Sequence, residues 1–490
     1  MCMSNPRNTF VHEIVEALKE MKIDVTKGLT PSRAVIRSIN CMFGLIRDPR
    51  KTVDEDDYSL VGILGTAFLA ILSGANNWVE IADFASAKRI WLCRFYPEFR
   101  KKHNFQNQIN EQSRYTPAHD TFRRILGLIP MYELQTVFRS FLRASIDQLL
   151  KNCHIVTEEF RTHIAIDGKV ERGSGRNYSA KTGGKVSDIQ TLNVFNSTYG
   201  MTEYSFPIDS KTNEIPVAQR ALAKMNLYGV MVTADALHTQ AHTCRLIHDA
   251  HGDYVLGLKG NQPSAMDIAA EVFGDEKALQ DLMSIKFTNK EKGAARKAHK
   301  YFRCETEKAH AQIEKREIYV YPISKFPKPL ADELTDKWPG LKSLVCIEKT
   351  ITPCDSSKDA THETRYYIAS LEDVDVIFTY IRRHWAIEAH HFDADVTFAN
   401  DANSTMDKVS LENLFFIMKA IRTFLEYARI FFEGQSLNRM RKSIGWNDDL
   451  VSVFSILFCS GDDFVQKYKT EFTEKELSKL KELYNDCCNL

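Results

Sequence analysis

The feature that most constrains this chain is a change of periodicity near residue 163. Before about residue 150 the apolar residues recur at helical spacing, as in VHEIVEALKEM, LVGILGTAFLAIL, NNWVEIADFASAKRIWLCRFY and ELQTVFRSFLRASIDQLL. Beyond it, short apolar runs alternate with turn-rich loops. Strands are expected over residues 163–167, 190–195 and 203–208, a helix over 214–225, and a strand ending at Asp235. A helix over 240–250 and a strand over 254–258 follow. Three strands, then helix, strand, helix and strand predict an α/β sheet with antiparallel and parallel parts. At 490 residues, 44% of them hydrophobic, the chain is long enough for roughly two to four such units.

Two of the strands end on a carboxylate. HIAIDGK places Asp167 after an apolar run, and YGVMVTADALHT places Asp235 after another, so buried strands deliver two acids to the sheet's edge. Asp167 equally suits the turn before Gly168, and Asp235 equally suits a helix N-cap. A third acid comes from TYIRRHWAIEAHHFDADVTFAND, residues 379–401, where Tyr380, Trp385, Ile387 and Phe392 fall at roughly helical spacing. Glu388 is preferred over Asp393, Asp395 and Asp401 because it follows Trp385-Ala386-Ile387, a run able to seat the helix against the sheet. Three carboxylates from two strands and a helix suit a hard divalent cation, which binds oxygen and keeps positions for water and phosphate.

The element order is that of a ribonuclease-H-like core. Such a core expects its last acid on the next helix, whereas Glu388 arrives more than a hundred residues later, after REIYVYPI, SLVCIEKTI and TRYYIASL. The expected organisation is therefore a helical N-terminal domain (1–150), the first part of the core (151–280), a β-rich insertion (281–370), the core helix with the third acid (371–435) and a helical C-terminal tail (436–490). SLENLFFIMKAIRTFLEYARIFF reads as a long amphipathic helix, and Asp120 reads as an N-cap before TFRRIL.

Lysine plus arginine equal aspartate plus glutamate at 64 each, so a nucleic-acid surface must be local. The candidates are the Gly-rich loop residues Lys169, Arg172, Arg176, Lys181 and Lys185, then Lys259 with Asn261 and Gln262, and Arg382 with Arg383. Such groups neutralise phosphates without reading sequence. Arg383 can instead pair with an active-site acid, and Trp385 reads as core rather than a DNA wedge. Arg123, Arg124, Arg139 and Arg143 read more readily as a solvated helix face than as a DNA contact. Eleven cysteines without paired short spacings point to a reduced, intracellular chain. The N-terminus lacks a signal-peptide pattern, and the apolar run over residues 60–72 is too short to span a bilayer, so no membrane is expected.

AIDGK, VTADALHTQ, GDYVLGLKGNQP, TRYYIASL and RRHWAIEAHHFDADVTFANDAN, in this order, resemble the motif blocks of insertion-sequence DDE transposases, in the branch that includes the H-repeat-associated proteins. LSGANNWVEIADFA and PAHDTFRRIL resemble that branch's N-terminal associated region. The resemblance implies a bacterial cytoplasmic enzyme, nucleoid-associated when bound to DNA. It would bind the terminal inverted repeats of its own element, cut there and transfer the strand into target double-stranded DNA. Asp167, Asp235 and Glu388 would hold two Mg²⁺ ions, with Mn²⁺ able to substitute, about 4 Å apart across an in-line displacement. Two paired element ends imply a homodimer in the DNA complex.

Some details depart from the pattern. A related group carries Tyr-x2-Arg-x3-Glu-x6-Lys, whereas Tyr380, Arg383 and Glu388 have one residue too many between arginine and glutamate, and Asp395 stands where lysine would. His390-His391-Phe392 replaces a leucine-histidine-tryptophan run. His384, Trp385, His391 and Asp395 are expected to support the site, Asp395 by orienting His391 or Arg383. Rival readings are a zinc site on His384, Glu388 and His391, and half of a di-iron site at Glu388-x-x-His391 or Glu307-x-x-His310. Others are a DNA-binding relative that has lost transposition and a nuclease without strand transfer.

Overall fold

The computed structural model describes residues 32–53, 57–100, 116–152, 161–179, 184–208, 213–285, 299–309, 311–355, 359–403, 407–429 and 434–446. The first part is helical: α1 (Ser32–Phe43), α2 (Leu60–Leu72), α3 (Trp78–Ala87), α4 (Arg89–Leu92), α5 (His119–Leu126) and α6 (Met131–Asn152). The Ser59 side chain caps α2 and the Asn77 side chain caps α3. For α5 the N-cap is Ala118, not Asp120; Asp120 lies in the first turn, where its carboxylate favours the helix dipole and pairs with Arg123 at 2.6 Å.

The sheet is built from β1 (His163–Glu171), β4 (Ile189–Asn196), β5 (Met201–Ile208), β6 (Met231–Ala234), β7 (Asp253–Leu258), β8 (Phe302–Ala309), β9 (Gln312–Pro322), β10 (Ser343–Pro353) and β11 (Thr361–Ala369). Between β1 and β4 a small hairpin, β2 (Arg176–Ser179) and β3 (Gly184–Val186), stands apart. The order in the sheet is β5-β4-β1-β6-β7-β11-β10-β9-β8. β1, β4 and β5 are antiparallel neighbours, while β1, β6 and β7 run parallel. Crossovers through α7 (Glu214–Lys224) and α8 (Ala241–Asp249) make the parallel pairing possible. The segment expected as a β-rich insertion continues this sheet: β11 joins the edge of β7 antiparallel, from Tyr366 opposite Leu258 to Ala369 opposite Val255.

The remaining helices are α9 (Pro263–Gly274), α10 (Glu276–Ser284), α11 (Lys328–Lys337), α12 (Val374–Val396), α13 (Lys408–Ala428) and α14 (Leu437–Trp446). α13 departs from the amphipathic expectation, being buried on every side between the N-terminal helices and β5. Its aromatic residues complete the helical core: Phe424 meets Phe68 edge-on with centroids 6.0 Å apart, and Phe416 meets Phe138 at 6.3 Å. Helices on both sides of the boundaries expected at 150 and 435 thus share one apolar core. Arg441 of α14 locks this arrangement by donating to the carbonyls of Ile71, Ala75 and Thr397 at 2.7–2.9 Å. Among the described residues no helix is long and apolar enough to cross a membrane.

One buried acid of α13 makes stability pH-dependent. Burial pushes the Glu412 carboxyl up to about 7 from an ordinary 4.5. The neutral form therefore favours the folded state: its contribution is complete below the unfolded pKa and is lost as pH rises through about 7. Glu412→Gln should leave thermal stability at pH 4 unchanged and raise it at pH 8, by about 3 kcal/mol. Equal melting temperatures for the two proteins at pH 8 would contradict this.

Candidate active site

β1 and β6 are parallel neighbours whose register pairs Ile166 with Ala234, so Asp167 and Asp235 leave them side by side, with strands about 4.8 Å apart. Asp235 caps a short turn rather than the helix expected after it, whose N-cap is Gln240. Asp235 Oδ1 accepts the Leu237 amide at 3.0 Å and caps a 3₁₀ turn over Ala236–His238, a bond that uses one carboxylate oxygen. α12 packs across β1 and β6, with Ala386 and Ile387 buried against Ala165 and Phe195. Glu388 follows on the more open side, where desolvation and then the negative charge of Asp167 raise its pKa. One turn earlier, burial lowers the pKa of His384 while Asp167 and Asp235 oppose the shift.

Each histidine of the site is oriented from behind. Burial alone would raise Asp167, yet its pKa is lowered, because a hydrogen bond from His391, whose Nδ1 lies 3.4 Å away, leads the neighbouring contributions that together outweigh the desolvation. The opposite ring atom, His391 Nε2, meets Asn193 Nδ2 at 3.2 Å. His384 Nδ1 meets Thr233 Oγ1 at 2.9 Å, which in turn meets His163 Nε2 at 2.8 Å. Sequence reading missed Asn193, Thr233 and His163. The only signal was a polar residue within each apolar strand run, and its partners lie on other elements.

A second acidic group lies beside the first. Ligand-type oxygens of Glu171, Asp395 and Asp401 lie within 4.8 Å of one another, the only such group of three among the described residues. Lys169 already supplies a cation there: its Nζ is 2.6 Å from Asp395 Oδ1 and 3.4 Å from Glu171 Oε2. The reason is that β1 does not stop at Asp167. It runs on to Glu171, which pairs with Ile189, and so carries Lys169 into a buried position rather than into a DNA-facing loop. Asp395 correspondingly engages Lys169, not His391 or Arg383 as expected. Gly168 leaves room for the Glu214 carboxylate, which a side chain there would push aside.

The other expected contacts divide sharply. Arg172 and Lys259 are exposed. Asn261 donates to the Ala236 carbonyl at 2.6 Å and Gln262 to the Thr239 carbonyl at 2.9 Å, so both side chains brace the turn after Asp235. Arg382 pairs with Glu307 at 3.2 Å, and Arg383 is buried over the Tyr380 ring. Trp385 is half-buried, with Arg365 5.1 Å and Lys349 5.5 Å from its ring centroid. Lys181 lies outside the described residues, and only the backbone is described for Arg176 and Lys185.

In the helical region Arg139 lies over Tyr204, Arg143 pairs with Glu203, and Arg124 is exposed. Among the described residues neither His384, Glu388 and His391 nor Asp167, Asp235 and Glu388 gather as one ligand group, and both histidines have hydrogen-bond partners on the sheet. Glu307 is occupied by Arg316 and Arg382, and His310 lies outside the described residues.

Comparison with known proteins finds relatives for most of the chain. Residues 158–421 match the family model described as "Transposase DDE domain", and residues 41–142 match the model described as "DDE_Tnp_1-associated". A protein from Xanthobacter autotrophicus, described as uncharacterized and encoded in the dhlA 3′ region, is 30% identical over 62% of this chain and 86% of its own length. The "H repeat-associated putative transposase YhhI" of Escherichia coli (strain K12) is 26% identical over 73% of this chain and 82% of its own. Among solved structures, a piggyBac transposase synaptic complex with hairpin DNA aligns over 93% of this chain and 82% of that one, at 11% identity and a TM-score of 0.33.

Proposed function

The chain belongs to the insertion-sequence DDE transposases, and from that premise we propose that it binds the terminal inverted repeats of its own element, cleaves DNA there and transfers the strand into target DNA. The observation that carries this reading is the placement of Asp167 and Asp235 at adjacent parallel positions, with Glu388 coupled to Asp167 from the helix packed across them. Strands β5-β4-β1-β6-β7 are read as a ribonuclease-H-like core, and β8 to β11 as an insertion that extends its sheet.

We read the three acids as a divalent metal site that closes on its ion, since their ligand oxygens are not gathered within 4.8 Å of one another in this structure. All are hard oxygen donors, and the charge of Asp167 disfavours ionisation of Glu388, a repulsion that a cation relieves. Bound Mg²⁺ would stabilise the attacking and leaving oxygens of an in-line displacement. The chain itself keeps Asp167 ionised through His391, seats Glu388 through Ala386 and Ile387, and fixes the Asp235 turn through Asn261 and Gln262. Exposed Arg172 and Lys259 are the groups best placed to neutralise phosphates. Coordinated transfer of two ends is the work of a homodimer on DNA.

Cleavage of DNA carrying the element's ends should therefore require Mg²⁺ or Mn²⁺ and should not be supported by Ca²⁺, whose larger and looser coordination suits in-line geometry poorly. An end-cleavage assay across the three metals checks this. Full activity in chelator would remove the metal from the mechanism.

A further inference from the structure

We propose that Asn193 and Lys419 are positioning residues that hold His391 in the tautomer with its proton on Nδ1, aimed at Asp167. This rests on Asp167 being a working acid of the site. Asn193 Oδ1 accepts from Lys419 Nζ at 2.7 Å and from Ser205 Oγ at 2.9 Å. Below about pH 8, the value to which burial lowers Lys419, its ammonium has only donors, so the carbonyl end of the amide must face it. The amide nitrogen is thereby turned toward His391 Nε2, 3.2 Å away.

A nitrogen that receives a hydrogen bond carries no proton, so the neutral ring keeps its proton on Nδ1, the atom facing Asp167 at 3.4 Å. Were the amide reversed, Nε2 would donate instead, and an Nδ1 lone pair would face the carboxylate.

The chain of contacts starts outside the sheet. Lys419 projects from α13, and Ser205 on β5 is bracketed by Gln135 of α6, whose amide exchanges bonds of 2.8 and 3.1 Å with the Ser205 backbone. Asn193, Ser205 and Lys419 are all buried, so water does not compete for these bonds. The helical layer thus fixes the direction of a proton at an acid on β1.

The test is nitrogen-15 histidine NMR on the metal-free full chain at pH 7, where Lys419 is an ammonium, with the His391 signal assigned by its loss in His391→Gln. The wild type should show the Nδ1–H tautomer. Asn193→Leu, and Lys419→Met or the milder Ser205→Ala, should shift the signal toward Nε2–H. End cleavage should fall ten- to hundred-fold in kcat with little change in end-DNA affinity.

An Nε2–H or doubly protonated ring in the wild type, or an unchanged signal in folded Asn193→Leu and Ser205→Ala, would overturn the proposal. The spectrum is independent of turnover. If the wild type shows the Nδ1–H tautomer but cleaves no ends, the functional reading fails and the positioning one stands.

Discussion

Glu388→Gln should retain DNA carrying the element's ends but neither nick nor join it. Removing one carboxylate charge takes away several kcal/mol of metal-dependent transition-state stabilisation, a loss of about three orders of magnitude or more in rate. The phosphate contacts that set affinity remain. The informative control is Asp395→Asn. Asp395 belongs to the neighbouring acidic group and is ion-paired with Lys169 at 2.6 Å, so its loss disturbs the surroundings of the site and should cost about ten-fold. Both variants need to be shown folded by circular dichroism. If Glu388→Gln cleaved at the wild-type rate while Asp395→Asn was dead, the working acids would include the Glu171, Asp395 and Asp401 group instead.

Arg422→Met should destabilise the protein by about 3–5 kcal/mol, the usual consequence of leaving a buried charge unpaired. The Arg422 guanidinium reaches Asp393 of α12 at 3.0 and 3.2 Å and Glu426 at 3.0 Å, with almost none of its side chain exposed. It is the tie between the helix that carries Glu388 and the helical core. Adding Asp393→Leu to Arg422→Met should recover part of the loss, because the carboxylate that has lost its guanidinium is then gone. Urea unfolding of the single and double variants measures both effects. A single-variant loss below 1 kcal/mol would mean that Asp393 finds another partner and that the tie is not energetically important.

Local patterns made much of this molecule legible from residue types. The apolar runs of β4, β6 and β7 and the two crossover helices end within one or two residues of where periodicity put them. The Trp385-Ala386-Ile387 run announced that α12 would be seated, and Ala386 and Ile387 do the seating. What could not be read was decided by distant partners. Gly168 and Lys169 looked like the start of a loop, but β4 pairs with β1 all the way to Glu171 and Lys169 meets an aspartate 226 residues away. α13 looked amphipathic because it carries Lys419, Arg422 and Glu426, and each of these charges is met inside the protein. Likewise Asn193 and Thr233 are single polar residues in apolar strands, with a meaning that exists only once α12 lies over the sheet.

The most direct test of the account is an end-joining assay with the purified full chain. Duplex DNA from either side of the gene, searched for paired inverted repeats, is mixed with a supercoiled target and Mg²⁺, and the products are sequenced. The account predicts cuts at the repeat ends and covalent joining of those ends to target DNA. Both reactions should be absent in chelator and absent in Asp167→Asn, Asp235→Asn and Glu388→Gln. Cleavage that persists in the three acid variants, or cuts without regard to the repeats and with no joined product, would contradict it.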